Sequence, residues 1–209
     1  KIIIVKLYSI GNVVDPVLAF ESLSEGFRKK GVIARIDWLV EEAASSVLKG
    51  HPLINELIVV KRGWGKNFRA NWKAASGLKA SGYDLVIDFQ GLLKSAIWVW
   101  LSRGKKRAGF ANAREGSHFA YNEKLSAYDV EQHAVDRYLT LARSAGGAEG
   151  EAVFRIDASK AAESVKKKLK QKGVDGPFFV MVTRGRWQTK LWNDEKFIEL
   201  AKEVIEKKK

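Results

Sequence analysis

Residues 1–20 read KIIIVKLYSIGNVVDPVLAF, and this stretch decides how the rest of the chain is interpreted. The run Ile2–Val5 is β-branched without alternation, which is typical of a strand buried on both faces of a parallel sheet. Gly11 follows where such a strand would turn into a helix, and glycine permits a tight turn and close approach of backbone N–H groups to a ligand. Pro16 lies near the expected helix start, where its missing N–H costs least. The stretch predicts a β–turn–α unit, the opening of an α/β domain that places ligands at the carboxyl ends of its strands. An α/β domain with no ligand at this turn would have the same pattern.

Strand and helix patterns alternate through the rest of the chain. Strands are predicted at residues 33–40, 56–60, 84–89, 106–110, 153–156 and 178–182, and helices at 41–49, 68–80, 91–102, 131–145, 159–172 and from Asn193, the expected N-cap, onward. Residues 111–130 are expected to form a loop. Such alternation implies right-handed βαβ crossovers and a mostly parallel, Rossmann-like sheet. We expect the first strand to be interior, with the second and fourth strands close by.

Two glycine-containing segments, GGAEG at 146–150 and VDGP at 174–177, indicate where the chain divides. We predict an N-terminal domain at residues 1–150, a linker and connecting helix at 151–176, and the first β–α unit of a second domain at 177–209. A single β–α unit cannot bury its own apolar face. Either a second domain was never present, or the sequence is a fragment of a longer protein.

The composition restricts the classes of function. With 46% apolar residues the chain can form a real core, and without cysteine it has neither disulfides nor cysteine-ligated metals, which fits a reducing cytoplasm. No segment reaches the roughly 18 apolar residues of a membrane span, and no signal peptide is visible. The net charge of +13 suggests a polyanionic partner, namely nucleic acid, an anionic membrane surface or a phosphorylated substrate. A lysine-rich surface without a specific partner is the alternative.

Residues 61–79 contain six basic residues and no acidic one, which predicts a surface that faces anions. A solvated basic face is the alternative. We predict peripheral attachment to an anionic membrane through Lys61, Arg62, Lys66, Arg69 and Lys73, interleaved with Trp64, Phe68 and Trp72. The tryptophans at 64, 72, 98 and 100 are expected to serve core or interfacial packing rather than ligand stacking.

Five segments of the chain, taken in order, form a recognisable set of motifs: IIIVKLYSIGNV (2–13), WLVEEAASSVL (38–48), GYDLVIDFQGLLKSA (82–96), EQHAVDR (131–137) and RWQTKLW (186–192). Together they resemble the bacterial ADP-heptose:lipopolysaccharide heptosyltransferases of glycosyltransferase family 9, nearest to the heptosyltransferase I group. The resemblance implies a GT-B fold, with two Rossmann-like domains facing across a cleft. It also implies that the N-terminal domain takes a Kdo-lipid A acceptor and the C-terminal domain takes ADP-heptose. On this interpretation the acceptor domain is complete and the nucleotide-sugar domain is represented by its first unit.

The chemistry that the resemblance implies is an inverting direct displacement that needs no metal and no cofactor besides the donor substrate. A carboxylate deprotonates the acceptor hydroxyl, which requires that carboxylate within hydrogen-bond reach. The family has an Asp after the turn glycine, in an S-x-G-D pattern, whereas this sequence reads Ser9-Ile10-Gly11-Asn12. An amide cannot accept the proton, and Asp15, about one helical turn further on, is the possible surrogate. We therefore expect this chain to transfer sugar poorly or not at all.

Other site residues follow from the same resemblance. The implied acceptor-binding residues are Lys61, Arg62, Lys66, Lys94, Arg114, His133 and Arg137. The implied donor-binding residues are Gly11, Thr183, Arg186 and Lys190, the last acting as a point charge on phosphate. A histidine at a helix start can also have no ligand, so this alternative stays open for His133.

The function implied is heptose transfer in the synthesis of the lipopolysaccharide inner core, by a cytoplasmic protein held at the inner face of the inner membrane. Two other classes of function remain as alternatives. A non-catalytic acceptor- or anion-binding α/β domain fits Asn12 and the short second domain. A nucleic-acid-binding α/β protein would account for the charge, but no RRM, KH or helix-turn-helix pattern is present.

Overall fold

A computed structural model describes residues 1–64, 66–150, 153–156, 158–185 and 188–207, with the backbone alone at positions 160 and 190. The chain divides into two compact units, Lys1–Ala158 and Ser159–Lys209. The first unit contains the sheet and the cavities discussed below, and each unit is described by itself.

The first unit is built on one sheet whose neighbouring strands all pair in parallel. Its strands are β1 (Ile2–Val5), β2 (Ile36–Glu41), β3 (Leu57–Val60), β4 (Leu85–Asp88), β5 (Lys106–Phe110) and β6 (Glu123–Leu125), in the order β3-β2-β1-β4-β5-β6. Ile3 lies opposite Asp37 of β2 on one side and Val86 of β4 on the other. The predicted interior position of the first strand, between the second and fourth, is confirmed.

Helices cover both faces of this sheet. They are α1 (Ile10–Val14), α2 (Val17–Lys29), α3 (Glu42–Ser45), α4 (Phe68–Ser81), α5 (Leu93–Leu101) and α6 (Ala134–Ser144), with a 3-10 turn at Ser117–Ala120. Ile3 and Ile4, adjacent in β1, are both fully buried but belong to different clusters, one with Trp98 and the other with Phe20. Each such side chain contributes about 1.5–3 kcal/mol on burial. A strand between two helical layers therefore needs apolar residues at every position, which explains the uninterrupted run at the start of the sequence.

Three local predictions for the first unit are wrong. Residues 111–130 contain the strand β6 and the 3-10 turn, because a strand of three residues, two of them charged, can extend a sheet without a recognisable apolar pattern. The helix predicted at 41–49 is limited to α3 (Glu42–Ser45) and continues as turns. Residues 153–156 form no strand, and Arg155 instead pairs with the buried carboxylate of Glu21 on α2.

The second unit contains α7 (Ser159–Gln171), a 3-10 turn (Gln188–Lys190) and α8 (Asp194–Lys207). Asn193 caps α8 as predicted, because its Oδ1 accepts a hydrogen bond of 3.2 Å from the backbone N–H of Lys196. The buried strand predicted at 178–182 is absent, and Val180 and Val182 are 75% and 81% exposed. No strand among the described residues pairs with this segment, and an unpaired strand leaves its backbone groups without partners.

Candidate active site

A cleft of about 390 Å³, here called the main cleft, lies at the carboxyl ends of β1, β4 and β5. Strand order reverses between β1 and β4, and this switch point is where open α/β sheets bind ligands. The ionisable and amide side chains that line the main cleft are Lys6, Asn12, Asp15, Asp88, Gln90, Arg114, Tyr128, Arg137 and Tyr138. Acids and bases thus share one cavity at the position where the fold favours binding.

Asn12 and Asp15 both line the main cleft, because three residues of helical backbone place them on one face of α1. Asn12 is exposed and Asp15, at the C-cap of α1, is half-buried. The Asp15 carboxylate accepts no hydrogen bond from any residue in the described part of the chain, so it is free to accept one from a ligand. Gly11 lies in α1 without positive φ, so the tight turn expected at this glycine is wrong.

Lys6 directly follows β1, is 2% exposed, and was not among the predicted site residues. Its Nζ donates to the carbonyl oxygen of Phe89 at 2.9 Å and to the hydroxyl of Tyr138 at 2.6 Å. Burial lowers the pKa of Lys6 to about 8, while the carboxylates of Asp88 and Asp15 act against that shift. A lysine immediately after a buried strand is a signal that could have identified this residue.

Asp88, the last residue of β4, is the buried acid of the main cleft. Its carboxylate accepts from the Tyr121 hydroxyl at 2.7 Å, the Ser95 hydroxyl at 2.8 Å, and the backbone N–H groups of Gln90 and Gly91 at 2.8 and 3.0 Å. Burial raises the pKa of Asp88, and the hydrogen bonds from Tyr121, Gly91, Ser95 and Gln90 oppose that rise. The carboxylate therefore fixes the Gln90–Gly91 turn that forms one wall of the cleft.

A second cavity of about 270 Å³, here called the side cavity, lies beside the ends of β2 and β3. Its lining includes Leu7, Glu41, Lys61, Arg62, Trp64 and Lys94. Glu41 is 7% exposed, and its carboxylate accepts no hydrogen bond from a described residue, while its backbone N–H donates to the carbonyl oxygen of Leu7 at 2.8 Å. Burial raises the pKa of Glu41, whereas Arg62 and then Lys94 act in the opposite direction. The side cavity therefore contains a buried carboxylate that accepts no hydrogen bond from the described residues and lies near two cations. The amino-acid composition did not indicate this arrangement.

The structure distributes the predicted acceptor residues over both cavities. Lys61, Arg62 and Lys94 line the side cavity, and Arg114 and Arg137 line the main cleft. Lys66 is exposed and belongs to neither lining. His133 is also outside both linings, and its Nδ1 caps α6 by accepting a 3.3 Å hydrogen bond from the N–H of Val135. His133 therefore has a structural role at the helix start.

The predicted donor residues other than Gly11 belong to the second unit. Thr183 is exposed in a segment without regular structure. Lys190 ends the 3-10 turn Gln188–Lys190, and Arg186 lies outside the described residues. These assignments remain predictions.

The sheet order and the cleft at its switch point define a Rossmann-like α/β protein whose ligand site combines carboxylate and cationic groups. A family model described as Glycosyltransferase family 9 (heptosyltransferase) matches residues 71–208. The match covers well over half of the sequence, and the chain belongs to this family, as its sequence motifs had indicated.

The names of similar proteins are consistent with this family assignment. The chain is 30% identical over 222 residues to lipopolysaccharide heptosyltransferase 1 of Pseudomonas aeruginosa, an alignment that covers 99% of this chain and 58% of the relative. It is 33% identical over 156 residues to lipopolysaccharide heptosyltransferase 1 of Escherichia coli K12, which covers 70% of this chain and 48% of the relative. The chain therefore spans about half the length of the relatives it matches.

Solved structures give the same result for the fold. E. coli heptosyltransferase WaaC with ADP-2-deoxy-2-fluoro heptose superposes with a TM-score of 0.72 at 28% identity, covering 95% of this chain and 64% of WaaC. E. coli ADP-heptose lps heptosyltransferase II has a TM-score of 0.76 at 19% identity, with 99% and 62% covered. The second similarity concerns the fold alone, and the two together confirm the GT-B type fold.

Proposed function

We propose that this chain is the acceptor-binding part of a heptosyltransferase of lipopolysaccharide inner-core synthesis, which transfers heptose from ADP-heptose to Kdo-lipid A. Family membership and relatives named lipopolysaccharide heptosyltransferase 1 support the proposal. The observation that carries it is the main cleft, where the unpaired Asp15 carboxylate shares a cavity with Arg114 and Arg137. A carboxylate can take a proton from a sugar hydroxyl, and arginines can hold the anionic groups of the same molecule.

In the proposed reaction the acceptor hydroxyl attacks the anomeric carbon, the bond from that carbon to the ADP oxygen breaks, and the configuration inverts. The hydroxyl proton passes to Asp15, because Asn12 at the family's base position cannot accept it. Lys61, Arg62 and Lys94 would hold further anionic groups of the acceptor in the side cavity, and Lys66 and His133, which belong to neither lining, are proposed as further acceptor contacts. Gly11, Thr183, Arg186 and Lys190 are proposed for the donor phosphates, and no metal or cofactor is assigned.

The proposed place of action is the cytoplasmic face of the inner membrane. Its support is the lipid nature of the proposed acceptor and the net charge of +13, which favours an anionic surface. Within the described part of the chain no helix is long and apolar enough to cross a bilayer. The association that we propose is peripheral.

The test is to extend this chain with the C-terminal remainder of the P. aeruginosa relative and to measure ADP release from ADP-heptose. We expect release only when Kdo-lipid A is present, and a loss of acceptor binding in Arg114→Ala and Arg137→Ala. The unextended chain should bind acceptor without turnover. An extended protein that binds ADP-heptose but not the acceptor would contradict the proposal.

A non-catalytic acceptor-binding protein is the second candidate, and Asn12 is the observation that favours it. Acceptor binding with no turnover, even after Asn12→Asp in the extended protein, would support this candidate. Oligonucleotide titrations serve as the control for the basic charge, since specific nucleic-acid binding should be absent.

A further inference from the structure

Two adjacent helices of the first unit, α4 and α5, expose apolar side chains on their outer faces. On α4, Phe68 and Trp72 are four positions apart and 54% and 55% exposed. On α5, Leu93, Ile97 and Trp100 follow at helical spacing and are 53%, 36% and 54% exposed. The opposite faces of the same helices already supply core residues, so these outer stripes are not needed to hold the helices on the sheet.

The exposed aromatic rings lie beside a shallow groove of about 600 Å³ between α4 and α5. Trp72, Lys79, Trp100 and Arg103 are part of its lining. Phe68 and Trp72 stack with their ring centroids 5.7 Å apart, and the Arg103 guanidinium lies 4.8 Å from the Trp100 ring centroid. Large apolar side chains mixed with cations at the rim are typical of an interaction surface.

Trp64 does not belong to this surface. Its ring lies 4.8 Å from that of the buried Trp98 and packs against the core. The expectation that Trp64 interleaves the basic residues of a membrane-binding face is therefore corrected, and Trp100 takes that place.

The α4–α5 face is predominantly positive, and the carboxylate of Glu115 beside it accepts a 3.1 Å hydrogen bond from the backbone N–H of Leu93. Residues 61–83 and residues 89–114 each contain six basic residues and no acidic residue. Arg69, Lys73, Lys79 and Arg103 are all exposed. In a symmetric contact between two copies, the same cations would face one another and repel. An anionic lipid surface has the complementary charge, and its headgroup layer accommodates tryptophan rings with both apolar and polar edges.

We propose that the α4–α5 face, defined by Phe68, Trp72, Leu93, Ile97 and Trp100 with the surrounding basic residues, docks on an anionic lipid bilayer. The aromatic and aliphatic side chains enter the headgroup region, and the lysines and arginines contact lipid phosphates. This deepens the membrane association in the proposed function by assigning its surface. It does not depend on sugar transfer.

The experiment is flotation of the full chain with vesicles of phosphatidylcholine containing phosphatidylglycerol, and with vesicles of phosphatidylcholine alone. Neither contains a sugar acceptor, so the outcome is independent of catalysis. We expect binding to the anionic vesicles, weakened by salt, and quenching of tryptophan fluorescence by brominated lipid. The double variant Trp72→Ser/Trp100→Ser should lower the partition coefficient by about tenfold or more.

Phe154→Ser is the matched control, because Phe154 is a similarly exposed aromatic residue (48%) that lies away from the α4–α5 face. Its neighbour Arg155 pairs with α2, a helix whose buried residues belong to the core cluster on the other side of the sheet. This variant should bind vesicles as the unchanged chain does. A second pair, Arg69→Gln/Lys73→Gln, should reduce binding to anionic vesicles and its salt dependence. The proposal would be overturned if the chain bound neutral vesicles equally well, or if the tryptophan double variant bound anionic vesicles fully. It would also be overturned if the unchanged chain formed concentration-dependent dimers that the tryptophan double variant does not form.

Discussion

The Nζ atom of Lys6 lies 2.6 Å from the hydroxyl oxygen of Tyr138, although 132 positions separate the two residues in the sequence. The contact joins the end of β1 to α6, and both side chains line the main cleft. Because Lys6 also donates to Phe89, one buried ammonium group connects three segments that form this cavity. The shape of the cleft therefore depends on a charge that the fold holds away from water.

This buried charge should make stability depend on pH in a defined direction. The folded pKa of Lys6, about 8, lies below its ordinary value of 10.5, so between these values the unfolded chain binds more protons. Stability relative to Lys6→Met should be constant below pH 8 and rise from there towards pH 10. Tyr138, whose pKa is raised to about 12, stays neutral in this range. Urea unfolding at several pH values measures the difference, and a flat difference would contradict the burial of the charged group.

The base of the proposed reaction can be tested with two substitutions on α1. In the extended protein, Asn12→Asp should raise the transfer rate by about 10²-fold, because a positioned base typically contributes 10²- to 10⁴-fold. Asp15→Asn, made in the protein that keeps Asn12, should remove its residual activity. Initial rates of ADP release provide the measurement. An unchanged rate in the Asn12→Asp variant would exclude position 12 as the base, and an unaffected Asp15→Asn variant would exclude the surrogate.

We expect Glu41 to lower the stability of the folded chain while it contributes to acceptor binding in the side cavity. Its folded pKa is raised by burial, so the ionised form is disfavoured in the folded state and stability is lost as pH rises through that pKa. Glu41→Gln should therefore raise the thermal midpoint at pH 7.5 more than at pH 4.5. The same variant should bind the sugar acceptor more weakly, because a carboxylate accepts from hydroxyls better than an amide does. Calorimetric melting and acceptor titration test the two effects, and a destabilised variant would argue that Glu41 is structurally paired with Arg62 or Lys94.

Asp88 should be required for folding of the cleft. All four of its partners donate, so Asp88→Asn would place an NH₂ group against donors and cost about 2–4 kcal/mol. Tyr121→Phe removes one donor and leaves the other three, for a cost of about 1–2 kcal/mol. Denaturant unfolding compares the two variants. Equal stability of Asp88→Asn and the unchanged chain would show that the carboxylate is protonated when folded.

Two helical glycines should respond in opposite ways to the same substitution. A Cβ on Gly26 of α2 would lie 2.1 Å from the carbonyl oxygen of Gly146, whereas a Cβ on Gly77 of α4 would meet no atom within 4 Å. Gly26→Ala should cost about 1–3 kcal/mol through overpacking. Gly77→Ala should stabilise by about 0.5–1 kcal/mol, since alanine favours the helix. If both variants lose stability, the close approach at Gly26 is not the cause.

The fold of the first unit could be predicted from the sequence wherever the local pattern of apolar residues matches the burial of the element. Four apolar residues without alternation predicted an interior strand, because only a strand covered on both faces needs them. The strand β6 could not be predicted, since Glu123–Leu125 is too short and too polar to differ from a loop. The segment 178–182 has an apolar pattern but no partner strand among the described residues, and pairing cannot be read from one segment.

The site was predictable only in part, because cavities form between residues that are distant in sequence. The basic residues could be proposed from motifs, and the structure places five of them on the two cavities, while their roles remain predictions. Glu41, Lys6 and Asp88 were not singled out for the site. The environment of each is set by neighbours from other elements, such as Tyr138 for Lys6 and Tyr121 for Asp88.

The central position of β1 has a consequence for synthesis on the ribosome. β1 is made before the other strands, yet one of its edges has no partner until β4, which ends at Asp88, has been translated. At about 5–20 residues per second this interval lasts on the order of ten seconds. During that time Ile2–Val5 is an apolar segment with an open edge, the type of nascent sequence that aggregates or engages chaperones.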